Sequence, residues 1–594
     1  MIRYKFRSPT SSMSLFKPYI KLYQPFSLVD IALLVMMAAF IYGLIAVASE
    51  WREELHPATQ IDLSPWALPK YTLFSLFRGF AAYGFSLIFT LVYGYIAAYN
   101  RRAERVMIPL LDILQSIPVL GFLPGLVLGL IALFPRSNTG LELAAILMIF
   151  TGQVWNMAFS FYHSLQSIPG DLREVTKIYG FTWWRRFTKL EIPFSMMGLV
   201  WNSMMSMAGG WFFLTVSESF VLENKDFRLP GIGSYMSVAM NAGNVPAMVY
   251  AVIAMVFMIV VVDQLFWRPL VAWAQKFKFE ETGAAEVPTS FVLDLLKRSR
   301  IFKNLSIGRG SWPFALSKKP ASGGAKEQKT TDPTSRAMSE KLLKGLRLGI
   351  QWGTLCVLLL LTVYGIPRLF LLLSQLSFQA WGRIGLYTLL TFLRVLGAVV
   401  LGTLWTVPVG VGIGLNPKWS KVLQPIIQVV ASFPAPMLFP LVLMGITSWG
   451  GSIEYGAVGL MLLGTQWYIL FNVIAGAMGI SHDLREVAAI YHLRGRAKWK
   501  KLILPGVFPN LITGWVTATG GAWNASIVAE YVHYKDRALV ATGLGATISL
   551  ATDQGDFATL AASVLVMSMT VVGFNRLFWK KLYQLAEEKY SLHT

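Results

Sequence analysis

The sequence predicts an all-α polytopic membrane protein made of two tandem, parallel six-helix repeats, about 12 transmembrane helices in all. Three observations carry this. The 594 residues are 55% hydrophobic and only 14% charged, too apolar for a soluble chain of this length. Apolar runs long enough to cross a bilayer recur, such as Leu28 to Ala48 and Val249 to Trp267. Such runs must be helical in lipid, because every backbone group needs an internal partner. Finally, the second part of the chain repeats the first. Thr72, Pro109, Ser116, Pro118 and Pro124 pair with Thr388, Pro425, Ser432, Pro434 and Pro440 at an offset of 316. The offset then drops to 312, pairing Trp155, Asp171, Pro193, Trp211 and Glu218 with Trp467, Asp483, Pro505, Trp523 and Glu530. The change falls in a short loop, PRSNTGLE against TSWGGSIE, where insertions are tolerated.

Helices are expected near 29–49, 72–98, 106–134, 141–165, 193–220 and 246–270. In the second copy they are expected near 348–375, 386–414, 421–447, 454–478, 505–530 and 557–580. An even number of spans per copy keeps the copies parallel. The domains are then 1–275, a polar linker over 276–345, and 346–594. The linker contains KKPASGGAKEQKTTDPTSRA, which has little to bury and reads as flexible. The preceding FVLDLLKRSRIFKNL suits either a basic amphipathic helix on the lipid surface or plain linker. The first apolar run starts late and is too long for a signal-peptide h-region, so no cleavable signal is expected.

The net charge of +21 is not a nucleic-acid signature. Lys and Arg cluster in Arg3 to Lys21, Arg101 to Arg105, Arg185 to Lys189, Lys276 to Lys344 and Arg494 to Lys501, while the intervening loops are neutral or acidic. This positive-inside pattern puts the basic loops and both termini in the cytoplasm. The single cysteine, Cys356, excludes a disulfide within the chain. No Walker A loop occurs; the nearest string, GITSWGGS at Gly445, lacks the lysine. The six histidines are scattered, and His163 and His482 read as structural rather than as metal ligands. No catalytic constellation is visible, so no enzyme, metal or cofactor site is expected in the chain.

One charged nonapeptide appears twice, as DLREVTKIY from Asp171 and DLREVAAIY from Asp483. After the turn at Pro169-Gly170, Asp171 is expected to N-cap a short helix with Glu174 as its capping-box partner. Helical spacing puts Leu172, Val175 and Ile178 or Tyr179 on one face, with Arg173, Glu174 and Lys177 facing away. Gly180 ends the helix. Leu484, Arg485, Glu486 and Val487 repeat the design. An amphipathic helix of this kind suits either the headgroup layer or a protein groove.

These loops resemble the cytoplasmic signature of ABC importer permeases: Glu-Ala-Ala, three residues, Gly, nine residues, Ile-x-Leu-Pro. The matching residues are Glu174-Val175-Thr176, Gly180 and Leu190-Glu-Ile-Pro193, then Glu486-Val487-Ala488, His492 and Leu502-Ile-Leu-Pro505. Neither copy has both alanines, and His492 stands where the pattern has glycine. Arg78 and Arg394, Trp211 and Trp523, Glu218 and Glu530, and the loops Gly231-Ile-Gly233 and Gly543-Leu-Gly545 resemble the nitrate/sulfonate/taurine branch. The resemblance implies a type I importer-like fold with two permease domains on one chain. It implies two copies of a separate ATPase subunit carrying ATP and Mg2+, one docked on each coupling helix. It also implies a periplasmic or lipid-anchored solute-binding protein, and a location in the bacterial inner membrane. The residues from Asp171 to Val175, Gly180 and Pro193, and from Asp483 to Val487, His492 and Pro505, are then ATPase-coupling residues. Ser116, Pro118, Trp211 and Glu218, with Ser432, Pro434, Trp523 and Glu530, are candidates for the pathway or its gate. Pro118 and Pro124, like Pro434 and Pro440, are expected to break or kink the third span of each copy. Glu218 and Glu530 suit either solute contact or bracing of the Gly-x-Gly loop, and the family pattern favours bracing. An ATP-independent secondary transporter also has parallel repeats, but it needs coupling carboxylates in mid-span, where Asp and Glu are nearly absent.

Overall fold

The computed structural model describes residues 49, 51, 59–223, 225–277, 363–448, 450–534 and 537–590. The N-terminal basic segment, the span at 29–49 apart from Ser49, Cys356, the start of the span at 348–375 and nearly all of the linker lie outside the described residues.

Helices dominate, and they follow the repeat. The first half comprises α1 (Leu68–Tyr99), α2 (Arg101–Ser116), α3 (Leu123–Leu133), α4 (Thr139–Gln166), α5 (Gly170–Ile178), α6 (Ile192–Ser217), α7 (Ile232–Asn241), α8 (Val245–Val262) and α9 (Arg268–Ala274). The second half comprises α10 (Phe378–Leu415), α11 (Pro417–Ala431), α12 (Phe439–Ser448), α13 (Ile453–Gly479), α14 (His482–Ile490), α15 (Leu504–Ala529), α16 (Leu544–Gln554), α17 (Phe557–Phe574) and α18 (Lys580–Tyr590). Among the described residues seven helices are long and apolar enough to span a membrane, or eight if a bent pair counts as one span. In each half three long helices form the centre: α1, α4 and α6, then α10, α13 and α15.

The expected third spans are not single helices. α2 ends at Ser116, a 3-10 turn covers Val119–Phe122, and α3 continues at 90°. The second copy breaks likewise at Pro434, with a 3-10 turn at Ala435–Met437. A proline has no N–H to donate and disfavours helical geometry in the residue before it. Two short antiparallel hairpins were not expected: β1 (Ser219–Leu222) with β2 (Lys225–Arg228), and β3 (Tyr531–Tyr534) with β4 (Arg537–Val540). They follow the fifth span of each half, which stops at Ser217 and Ala529 rather than 220 and 530.

Four π-helical turns occupy Phe187–Glu191, Asp263–Trp267, Trp499–Ile503 and Asn575–Trp579. Pro193, Pro269 and Pro505 lie two residues beyond the first three. Each leaves the carbonyl four residues back without its helical donor and crowds it, which favours a wider turn. The fourth has Lys581 at that place, so proline is not required for the turn.

The halves meet at the hairpin end. The β1 hairpin packs on α16 and β3 packs on α7. Glu223 N–H donates to Thr552 O at 3.3 Å. The largest apolar cluster joins Leu222, Phe227 and Tyr235 of the first half to Val532, Leu544 and Ile548 of the second.

Candidate functional site

Near the hairpin end, each half sets an arginine between two carboxylates, fully buried in the first half and part-exposed in the second. Arg78 of α1 forms a bidentate pair with Glu142 of α4, Nε to Oε2 and Nη2 to Oε1 both at 2.6 Å. Its Nη1 donates to Glu218 at the end of α6 and to the Pro230 carbonyl, both at 2.8 Å. All three side chains are at most 1% exposed. Glu218 also accepts from Ser75 Oγ at 2.6 Å and from Gly233 N–H at 2.7 Å. A Cβ on Gly231 would lie 2.3 Å from the Glu218 carboxyl carbon, so only glycine allows this approach. In the second half Arg394 reaches Glu530 at 2.9 Å and Glu454, while Gly545 N–H donates to Glu530 at 2.8 Å. Glu142 and Glu454 were not singled out from the sequence. Their pairing at the offset of 312 was the signal that could have found them.

At the opposite end, α5 and α14 are matched helices. Asp171 is not the N-cap of α5; Pro169 holds that place, and in α14 it is Ser481, whose side chain accepts from Leu484 N–H. Pro169 has the extended φ of −55° and ψ of 142° that the residue before a helix adopts, so the helix starts at Gly170 and Asp171 sits inside the first turn. Glu174 therefore forms no capping box with it. Arg173 does not face away from the body either. Its Nη2 reaches back to the Leu165 carbonyl at 2.6 Å, and Arg485 does the same to Ala477 at 3.1 Å. A helix C-terminus leaves carbonyls unpaired, and a cation is drawn to them. Leu172 packs on Phe161, Leu165 and Ile168. The remaining apolar residues point out: Ile178 and Tyr179 are 81% and 74% exposed, Ile490 and Tyr491 73% and 74%. Glu174 and Glu486 are exposed beside them. Pro193 and Pro505 sit in the first turns of α6 and α15, behind α5 and α14.

The mounts of the two helices differ. Behind α5, buried Glu191 accepts from Arg186 Nε at 2.8 Å and from Tyr99 Oη at 2.7 Å. The position paired with Glu191 is Ile503, which is buried in an apolar cluster with Val411, Ile480 and Val507.

Between the halves lies a cavity of about 2810 Å³. His163 and Gln275 of one half and Arg485, Lys580 and Tyr583 of the other surround its mouth, so both basic ends face one opening. Among the described residues six cationic side chains line it, Arg268, Lys418, Lys421, Arg485, Arg576 and Lys580, against two carboxylates, Asp112 and Asp263. Asp263 accepts from Arg268 at 3.1 Å. Phe213, Pro434, Trp523 and Asn524, from chain segments nearer the hairpins, also line it. Of the residues expected along a pathway, Ser432, Pro434 and Trp523 line this cavity. Pro118, Trp211, Glu218 and Glu530 do not; Trp211 packs against Gly79, and both carboxylates are held in the clusters described above. Ser116 ends α2. Asn524 was missed, because an isolated Asn in an apolar span has no motif around it.

Comparison with known sequences matches the same family twice. Residues 90–266 and 398–579 each match the binding-protein-dependent transport system inner membrane component. The chain is 26% identical over 180 residues to the taurine transport system permease protein of Escherichia coli, covering 30% of this chain and 60% of that one. It is 28% identical over 147 residues to the nitrate import permease protein of Synechococcus elongatus, covering 25% and 51%. It is 27% identical over 145 residues to the bicarbonate transport system permease protein of Synechocystis, covering 24% and 50%. The chain spans only half to three fifths of the length of these relatives. The two family matches, with the repeated loops and helices, make this chain a member of the binding-protein-dependent transport system inner membrane components, a multi-pass ABC importer permease with two such domains fused in one polypeptide.

Proposed function

We propose that this permease carries a small anion inward through the cavity between its halves, driven by two copies of a separate ATPase docked on α5 and α14. As a member of its family the chain is a transport component and not an enzyme. The observation that carries the coupling reading is the matched pair of Ile-Tyr tips, each presented past a short helix at nearly equal exposure. An exposed apolar knob ringed by charge suits a protein groove. ATP and Mg2+ belong to the partner subunits, and a solute-binding protein outside the membrane delivers the solute. The positive-inside rule makes the mouth of the cavity cytoplasmic, along with both termini. The conformation described is then inward-open. Hydrolysis moves the two docking helices, and access alternates between the sides.

The excess of cations along the cavity supports an anionic solute. The relatives named for nitrate and bicarbonate transport agree with that class, and taurine, a zwitterion, shares with it a sulfonate group.

Pull-down of the tagged chain in mild detergent, with stoichiometry by mass spectrometry, tests the coupling reading. Two Walker-motif ATPase copies per chain are expected. A chain that purifies alone and transports in ATP-free liposomes overturns it. Replacing both Glu174 and Glu486 by alanine is expected to uncouple uptake in a well-expressed protein.

A further inference from the structure

The closed end of the cavity is asymmetric at one hydrogen bond. Val119 is the first residue of the 3-10 turn after Pro118, where the N–H has no acceptor within the turn. That N–H donates to Oδ1 of Asn524 in the opposite half, at 2.8 Å across 405 residues of sequence. Asn524 Nδ2 donates to its own helix, to the Gly520 carbonyl at 3.2 Å. Asn524 also lines the cavity. The paired position in the first half is Phe212, whose side chain has no polar atom to offer the break at Pro434. Beside the same contact, Gly121 lies against Val564 of the opposite half so closely that a Cβ would meet it at 2.8 Å.

We infer that Asn524 is a solute-positioning residue that alternates between the Val119 N–H and the passing anion. This rests on the reading of the cavity as the pathway for an anion. Opening the hairpin end requires the halves to part there, which separates Asn524 from Val119. The Val119 N–H then loses its acceptor, and Asn524 Nδ2 has a second N–H to donate beyond the one given to Gly520. Groups of this kind demand replacement partners in a low-dielectric site. An anion's oxygen accepts from both the Val119 N–H and Asn524 Nδ2. On closing, the Val119 N–H returns to Oδ1, and the anion is released toward the cationic mouth. The device therefore acts on one side of the pathway only.

Asn524→Asp separates the two roles. The carboxylate still accepts from Val119 N–H, so the closed contact survives, but it donates nothing and repels an anion. In proteoliposomes holding the permease with its ATPase and binding protein, solute-dependent uptake is expected to fall by about 10-fold or more. Asn524→Ala instead removes the closed contact and is expected to raise solute-independent hydrolysis. Arg576→Gln with Lys580→Gln tests the pathway reading separately, and a fall in uptake is expected. If that pair lowers uptake while Asn524→Asp transports normally, the role of Asn524 is overturned and the pathway stands. If neither lowers uptake, both are overturned. A measurement independent of turnover uses Asn524→Cys with Cys356→Ser. Nitrate, bicarbonate or taurine supplied with the binding protein is expected to slow modification of that thiol by a methanethiosulfonate. Equal rates with all three overturn the proposal.

Discussion

Gly180 and His492 hold the same left-handed backbone, with φ of 59° and 51°. Each follows its short helix, α5 or α14, and the bonds around it match. Phe181 N–H reaches Thr176 O at 2.9 Å, and Leu493 N–H reaches Ala488 O at 2.8 Å. This is the Schellman ending, which places its C′ residue in the left-handed region. The histidine thus keeps the bend that the family's glycine makes, at the steric cost of a Cβ there.

His492→Gly is therefore expected to stabilise the protein by about 1 kcal/mol, since a left-handed residue with a Cβ costs about that much. Thermal unfolding in detergent reads the shift. A lower Tm would mean that the imidazole makes a contribution larger than the strain.

Arg78 is enclosed and Arg394 is less so: Arg78 is 1% exposed and Arg394 12%, and Glu454 is 38% exposed where Glu142 is 1%. Arg78→Met strands two buried carboxylates and is expected to cost about 3–5 kcal/mol. Arg394→Met is expected to cost clearly less, because water reaches Glu454. Comparison of the two variants' melting curves checks the order.

Gly231→Ala and Gly543→Ala press a methyl group into a carboxylate, 2.3 Å from Glu218 and 2.2 Å from Glu530. Each is expected to destabilise by about 1–3 kcal/mol through overpacking. Gly84→Ala, where a Cβ meets nothing within 4 Å, is the control and is expected to be silent.

Tyr179→Ala and Tyr491→Ala leave the fold alone, because both rings are 74% exposed. Each is expected to weaken ATPase binding by about 10-fold or more if the ring fills a pocket, the behaviour of an aromatic interface anchor. Binding of the purified ATPase to permease in nanodiscs measures it. Unchanged affinity in both variants would count against these tips as the docking points.

Glu191→Leu imitates Ile503 of the second half. It leaves Arg186 and Tyr99 without their acceptor and is expected to cost about 1–3 kcal/mol. Hydrogen exchange is expected to rise over α5 and to remain unchanged over α14. Equal change in both would show that the two mounts are not independent.

The sequence alone determined the two repeated halves, most of their described long helices, the breaks at Pro118 and Pro434, and the short amphipathic helices α5 and α14. These rest on hydropathy runs, proline geometry and a repeat offset, which are properties of neighbouring residues and survive without knowledge of packing. The Glu218 and Glu530 pairs were legible as positions but not as clusters, because their partners Glu142 and Glu454 come from another helix. Only the tertiary structure decided which face of α5 is free, since Arg173 finds its carbonyl on α4. It alone showed the hairpins, whose short strands need each other, and the cavity, whose lining alternates between the halves. It also showed that Phe212 and Asn524, equal by repeat, differ in what they offer across the interface. A repeat fixes where a residue stands; what that residue meets is set by contacts between segments hundreds of residues apart.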